Sequence, residues 1–325
     1  MATLSVRPAI RWGWITLSMV AGLIGLPALA QSQAADKIDP MSYARYVGEK
    51  VCGDCHDTEK SLFGHTQHAK IFRQNPRNDV EKTVCETCHG PGSLHVTDTR
   101  DKTKIIGFTK EWGTPIAKMN AQCLNCHEGA ERMYWDGSIH QKNQLACSDC
   151  HNPMARFSAN NLLKKPSISE TCYTCHQQQR MEFKKKSHMP VPEGKMSCAD
   201  CHNPHGTSGK RLLKADTTTE LCYSCHAEKR GPYLWEHAPV RQDCLNCHSP
   251  HGSVNDKLLQ QSRPMLCMSC HTIAGNGMGH QFRNPVPTIG AAVTAPAAQI
   301  VGRSCQNCHA QIHGSNAPDG QRFRR

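Results

Sequence analysis

Ten copies of C-x-x-C-H run through this chain of 325 residues, and together they use all 20 of its cysteines. The pairs are Cys52/Cys55, Cys85/Cys88, Cys123/Cys126, Cys147/Cys150, Cys172/Cys175, Cys198/Cys201, Cys222/Cys225, Cys244/Cys247, Cys267/Cys270 and Cys305/Cys308. The residues that follow them are His56, His89, His127, His151, His176, His202, His226, His248, His271 and His309. Two thiols at this spacing add across the two vinyl groups of one haem, and the adjacent imidazole binds its iron. Zinc ribbons and disulfides also use paired cysteines, but neither needs a histidine after every pair. The sequence therefore predicts ten covalently attached haem c groups and no cysteine left over.

Ten further histidines lie outside the motifs: His65, His68, His95, His140, His188, His205, His237, His251, His280 and His313. Their number equals the number of haems, and most recur in register. Each repeat reads C-x-x-C-H, a distant His, C-x-x-C-H, then a near His. Cys222–His226, His237, Cys244–His248, His251 is the clearest example, and Cys172–His176, His188, Cys198–His202, His205 matches it. A histidine three residues after a motif is too close to reach the other face of its own ring, so it is expected to serve a neighbouring haem. These ten are the candidate second axial ligands.

One slot is irregular. The second repeat has Asn152-Pro153-Met154 where the third has Asn203-Pro204-His205, while the first carries both His65 and His68. Two readings follow. Either His65 and His68 are both ligands and Met154 only packs, or Met154 takes the ligand slot and His65 is spare. Thioether ligation would raise the potential of that haem relative to a bis-His site.

Composition sets the fold class. Only 38% of residues are hydrophobic and 6% aromatic, with 24 Gly and 19 Pro. No alternating strand pattern stands out. A multihaem cytochrome c is predicted, mostly irregular with short α-helices and little or no β, an elongated chain wrapped around a row of ten haems. Short helices are expected on the motifs and after them, for example over 227–235. Burying the macrocycles would replace the missing Leu and Phe side chains, so the haem-free chain is expected to be largely unfolded.

Residues 1–30 read as a cleavable secretory signal. Arg7 and Arg11 precede a short apolar stretch from Trp12 to Leu26, and Ala28-Leu29-Ala30 is a small-x-small cleavage site. Residues 31–48 are a polar lead-in. Residues 49–325 form the decahaem domain, in five two-haem units at about 49–100, 120–160, 169–214, 219–260 and 264–316. An Ala/Pro/Val-rich insert, Asn284 to Gly302, divides the last unit. Periplasmic export fits covalent haem attachment. The formal charge of +11 does not imply nucleic-acid binding, because the propionates of ten haems would reverse its sign. The Lys184-Lys185-Lys186 run reads as a solvated face, or else as a docking patch for an acidic partner.

Over essentially the whole mature chain the sequence resembles the periplasmic decahaem cytochromes of porin–cytochrome outer-membrane conduits, the MtrA/MtoA/DmsE/PioA type. The most specific stretch runs from Cys222 through His237-Ala238-Pro239 and Cys244 to Val254-Asn255-Asp256. Gly302-Arg303-Ser304-Cys305 and His313-Gly314-Ser315-Asn316 also match. The resemblance implies a haem-lined protein inserted into an outer-membrane β-barrel porin. Its redox partners would be an inner-membrane or periplasmic cytochrome c on one side and extracellular Fe(II)/Fe(III) or an extracellular cytochrome on the other. The chain is most similar to MtoA-type members associated with Fe(II) oxidation. The family usually places His in the slot of Met154, and this chain departs there. Two other functions share the motifs: a soluble periplasmic electron shuttle or charge store, and a multihaem redox enzyme with an open iron. Six-coordinate iron has no position for substrate, and all ten motifs end in His, so no dedicated catalytic residue is assigned.

Overall fold

The computed structural model describes residues 40–271 and 304–324. The signal segment, most of the lead-in, His280 and nearly all of the Ala/Pro/Val-rich insert lie outside the described residues. Among the described residues there are fourteen α-helices and no strand, only five isolated β-bridges. The longest helix is Ile116–His127, at 12 residues. Helices this short are marginal by themselves in water, so local caps and neighbours must hold them.

The caps are legible. Ser167 and Thr217 accept from the backbone N–H of Glu170 and Glu220, each at 3.1 Å, and so start the helices that carry Cys172 and Cys222. Asp200 accepts from the N–H of Ser197 at 2.6 Å, and Asp149 from that of Ala146 at 2.8 Å, opening the turns that carry Cys198 and Cys147. The helix expected over 227–235 stops early. A single 3-10 turn covers Ala227–Lys229. Gly231-Pro232 follows, and a residue before proline is pushed out of the helical region.

The apolar core is small and split. Phe63, Ala69, Phe72 and Val84 form one cluster, with Ile71, Cys85 and Met154 packed against it. Tyr173, Phe183 and Val191 form a second, with Met189 and Met196. Much of what joins one unit to the next is backbone. Ser187 and Ser253 exchange hydrogen bonds of 3.0 and 2.7 Å, and Trp235 and Ser315 exchange bonds of 2.9 and 3.0 Å. The lysine run belongs in part to these junctions: Lys186 pairs with Asp256 at 3.0 Å, and Lys185 approaches the Gly252 carbonyl.

Two glycines explain how closely the units approach. A Cβ on Gly206 would lie 2.0 Å from the carbonyl oxygen of Tyr134, and one on Gly252 would lie 2.0 Å from that of Glu182. Both have positive φ, +125° and +158°. Only glycine lets the turn after His205 or His251 lie directly on the backbone of the preceding unit. No helix among the described residues is long and apolar enough to cross a membrane.

Candidate haem-binding sites

Seven motif histidines face a non-motif histidine. Ring centroids are 6.3 Å apart for His56–His95, 5.8 Å for His68–His127, 6.3 Å for His140–His176 and 6.0 Å for His151–His205. They are 6.2 Å apart for His202–His251, His237–His271 and His248–His313. Two imidazoles on opposite sides of one metal, each bonded at about 2 Å, place their ring centres about 6.3 Å apart. The plane angles range from 13° to 83°, which ligation through one nitrogen per ring leaves free. The residues therefore fit a haem iron held between each pair.

These pairs follow a rule. His68, His140 and His237, the distant histidines of units one, two and four, meet His127, His176 and His271, the first motifs of the units that follow. His205, His251 and His313, the near histidines of units three, four and five, meet His151, His202 and His248, the second motifs of the units that precede. Ligands are thus exchanged between units in both directions. At the start there is no earlier unit to serve, and His95 faces His56 in its own unit.

The chain of unit one shows why His68 rather than His65 points inward. A helix ends at Gly64, and His65 occupies its exposed C-cap. Thr66 then caps the next helix, Gln67–Gln74, by accepting from the N–H of Ala69 at 3.2 Å. His68 lies in its first turn, against Phe72 one turn on, with ring centroids 5.7 Å apart. The imidazole of His65 has no hydrogen-bond or ring partner among the described residues. It lines a hollow of about 550 Å³ with Arg73 and Arg156.

The second motif of every unit shares one further device. His89, His151, His202, His248 and His309 donate through Nδ1 to the carbonyls of Ile106, Asn161, Arg211, Lys257 and Arg322, at 2.6 to 2.9 Å. The bond fixes the tautomer and leaves Nε2 free for metal. In three units the acceptor precedes a Leu-Leu pair: Leu162-Leu163, Leu212-Leu213 and Leu258-Leu259. The chain there turns through left-handed residues and bridges back to the motif histidine. That repeated dipeptide is visible in the sequence, but nothing in its side chains marks it as part of the site. Burial keeps His68, His89, His95, His127, His176, His205, His237, His251 and His313 below the usual histidine range, in the neutral form that carries a free lone pair.

Three motif histidines stand outside these seven pairs. His309 is not among these pairs, and His280, the remaining candidate ligand of unit five, lies outside the described residues. His226 is not brought to His188, whose Nε2 instead meets Glu193 at 3.0 Å. His89 is half-buried, with Phe108 edge-on at 5.2 Å.

None of the 20 cysteines is in a disulfide, yet the motifs touch in sequence order. Within each unit the two first cysteines are close enough to shift each other's ionisation: Cys52 with Cys85, Cys123 with Cys147, Cys172 with Cys198, Cys222 with Cys244, and Cys267 with Cys305. Between units the second cysteines lie within electrostatic range: Cys88 of Cys126, Cys150 of Cys175, Cys201 of Cys225, and Cys247 of Cys270. Burial, with Cys52 beside it, pushes the Cys85 thiol up to about 12. Attachment points of consecutive motifs are therefore neighbours from the first motif to the last.

Cys55 and Cys308 differ from the other second cysteines in what surrounds their thiols. Both are exposed, and the structure brings neither thiol to a partner among the described residues. The reason is their place in the series. Second cysteines approach one another across the boundary between units, and these two belong to the first and last of the ten motifs. Their own motifs are nonetheless formed. The N–H of Cys55 donates to the carbonyl of Cys52 at 3.3 Å, and that of Cys308 to the carbonyl of Cys305 at 3.2 Å. Each therefore keeps the local turn that haem attachment needs and lacks only the contact to a neighbouring motif.

Comparison with known proteins agrees with this geometry. The family described as "Doubled CXXCH motif" matches residues 188–231 and 237–275. The family described as "Cytochrome c-type protein NrfB-like" matches residues 85–162. A curated relative, the multihaem cytochrome MtrA of Shewanella baltica, is 37% identical over 278 residues, covering 86% of this chain and 81% of its own length.

Proposed function

Because this chain belongs to the MtrA-like multihaem c-type cytochromes, we propose that it is a periplasmic decahaem electron-transfer protein that carries electrons across the outer membrane inside a β-barrel porin. Its single strongest support is the set of seven facing histidine pairs, from His56/His95 to His237/His271, each spaced to hold an iron between two imidazoles. Haem bound at these motifs supplies an iron that exchanges single electrons. The chain's part is to attach, saturate and enclose it. The cysteines would hold each haem by one edge, and the nearness of cysteines in consecutive motifs would bring successive haems close enough to exchange electrons. Each of the seven histidine pairs would hold an iron between two imidazoles, which would leave no position there for a small molecule. The Nδ1 bonds to backbone carbonyls fix the tautomer and orientation of the second-motif imidazoles. The first and last motifs, with Cys55 and Cys308, are where electrons would enter and leave the row.

In this reading the direction is from extracellular Fe(II) inward, as the likeness to MtoA-type members of the family suggests. Extracellular metal reduction is the same path run backwards. A periplasmic or inner-membrane cytochrome c would meet the inner end.

The test uses the holoprotein purified from outer membranes of its host. Mass should correspond to ten haems. Liposomes holding this protein with its co-purifying barrel should let external ferric citrate oxidise reduced methyl viologen inside. A holoprotein recovered without any barrel, and inactive across the bilayer, would point to a soluble shuttle. Stoichiometric carbon monoxide binding to the reduced protein would point to an open iron and a redox enzyme.

A further inference from the structure

The exchange rule leaves one position to be filled. Near-slot residues serve the second motif of the preceding unit, as His205 faces His151, His251 faces His202 and His313 faces His248. The near slot of unit two holds Met154, and the second motif of unit one is Cys85/Cys88/His89. We propose that Met154 is the residue that faces His89, so that the second haem of the chain has one imidazole and one thioether ligand.

Three observations carry this beyond counting. First, Met154 sits in the same turn as His205. Its N–H donates to the side chain of Asn152 at 3.0 Å, as the N–H of His205 donates to that of Asn203 at 3.1 Å. Second, that turn docks at the equivalent place. Gly206 lies on Tyr134, and Gly252 on Glu182, in each case between the first motif and the distant histidine of the preceding unit. Met154 packs on the cluster of Phe63, Ala69, Phe72 and Val84, most of which lies in the corresponding stretch of unit one around His68. Third, Cys85, the first attachment point of the second haem, packs against the same cluster. His65 meets none of these conditions. It is exposed, and it lines the outer hollow instead.

The consequence is a single site of higher potential near one end of a bis-His series, because thioether sulfur favours reduced iron. Being second in order, it would be reached from the first haem in one transfer. It would also hold an electron longer than its neighbours do.

This inference rests on the ten-haem reading, and the experiment separates the two. The oxidised holoprotein should show the near-infrared sulfur-to-iron charge-transfer band at the intensity of one haem in ten. A redox titration should show one tenth of the haem absorbance reduced before the remainder. Met154→His should abolish the band and move that tenth down into the main wave. Met154→Leu should abolish it and create one carbon monoxide-binding iron. His65→Gln should leave band and titration unchanged. Ten haems with no band, a band that survives Met154→His, or a new carbon monoxide-binding iron in His65→Gln would each overturn the assignment while the cofactor count stands. Fewer than ten haems in the wild type would overturn the cofactor reading itself. The wild-type spectrum and His65→Gln decide the matter even if neither Met154 variant folds.

Discussion

The turns at 152–155 and 203–206 use one backbone device with different side chains. Both open with Asn-Pro, and in both the asparagine accepts from the N–H two residues on. At 203–206 an imidazole is followed by Gly206, whose missing Cβ lets the turn lie on the Tyr134 carbonyl. At 152–155 a thioether is followed by Ala155, a buried residue that carries the Cβ the other turn excludes. The apolar cluster of Phe63, Ala69, Phe72 and Val84 receives this turn, where Tyr134 backbone receives the other. Delivering a side chain to the preceding unit and choosing which atom is delivered are therefore separable. The first needs only the asparagine-based turn and its docking site.

The widest challenge to that comparison is removal of what both turns enclose. The core clusters are too small to hold the units together without macrocycles. Chain produced without haem attachment should lack helical far-ultraviolet dichroism and be rapidly proteolysed. A compact, helical haem-free chain would show that the turns dock unaided, and would break the argument at its base.

A sharper challenge exchanges the residues after the ligands. Gly206→Val and Gly252→Val place branched carbons against backbone oxygen at positive φ. Each should cost about 3 kcal/mol, the upper end of overpacking effects, and lower the thermal midpoint of the holoprotein. Each should also free the facing histidine, so that carbon monoxide binds the reduced haem of His151 or His202. Ala155→Gly should change stability by about 1 kcal/mol or less. Equal effects at the two turns would mean that the glycines are not there for close approach.

The smallest expected effect concerns acid sensitivity on the Met154 side. Arg77 donates to Glu81 through Nε at 2.8 Å and through its backbone N–H at 2.6 Å, and these bonds hold the carboxyl below the usual glutamate range. A lowered folded value means that the contribution is whole above the ordinary glutamate pKa. It is lost as pH falls through the folded value. The thermal midpoint of the wild type should therefore drop through that window. Glu81→Gln should start lower at neutral pH and drop less. Parallel profiles for the two proteins would remove Glu81 from the account of this junction.

Much of this was legible in the residues. The cysteine spacing, the histidine after each pair and the repeat register all follow from the covalent geometry of haem attachment. Short helices and the absence of strand among the described residues follow from scattered Gly and Pro and a scarcity of core side chains. The clamp before Leu163, Leu213 and Leu259 escapes a reading of side chains because a Leu-Leu pair reads as core. Its role is carried by a backbone carbonyl that no side-chain pattern announces. Over 227–235 composition favours helix, but Pro232 acts on the residue before it and ends the turn early. Cys55 and Cys308 are identical in pattern to the other attachment cysteines, and only the meeting of second cysteines between units sets these two apart.

The amino-acid order by itself determined how many sites there are and which atoms are available to fill them, since a motif of five consecutive residues is a local property of the chain. It could not decide which imidazole meets which. His251 lies three residues from His248 and yet faces His202, while His313, distant in the chain, faces His248. Only the docking of one unit's turn on another's backbone sets those partners. A side chain three residues from its own motif cannot cross to the opposite face of the same ring.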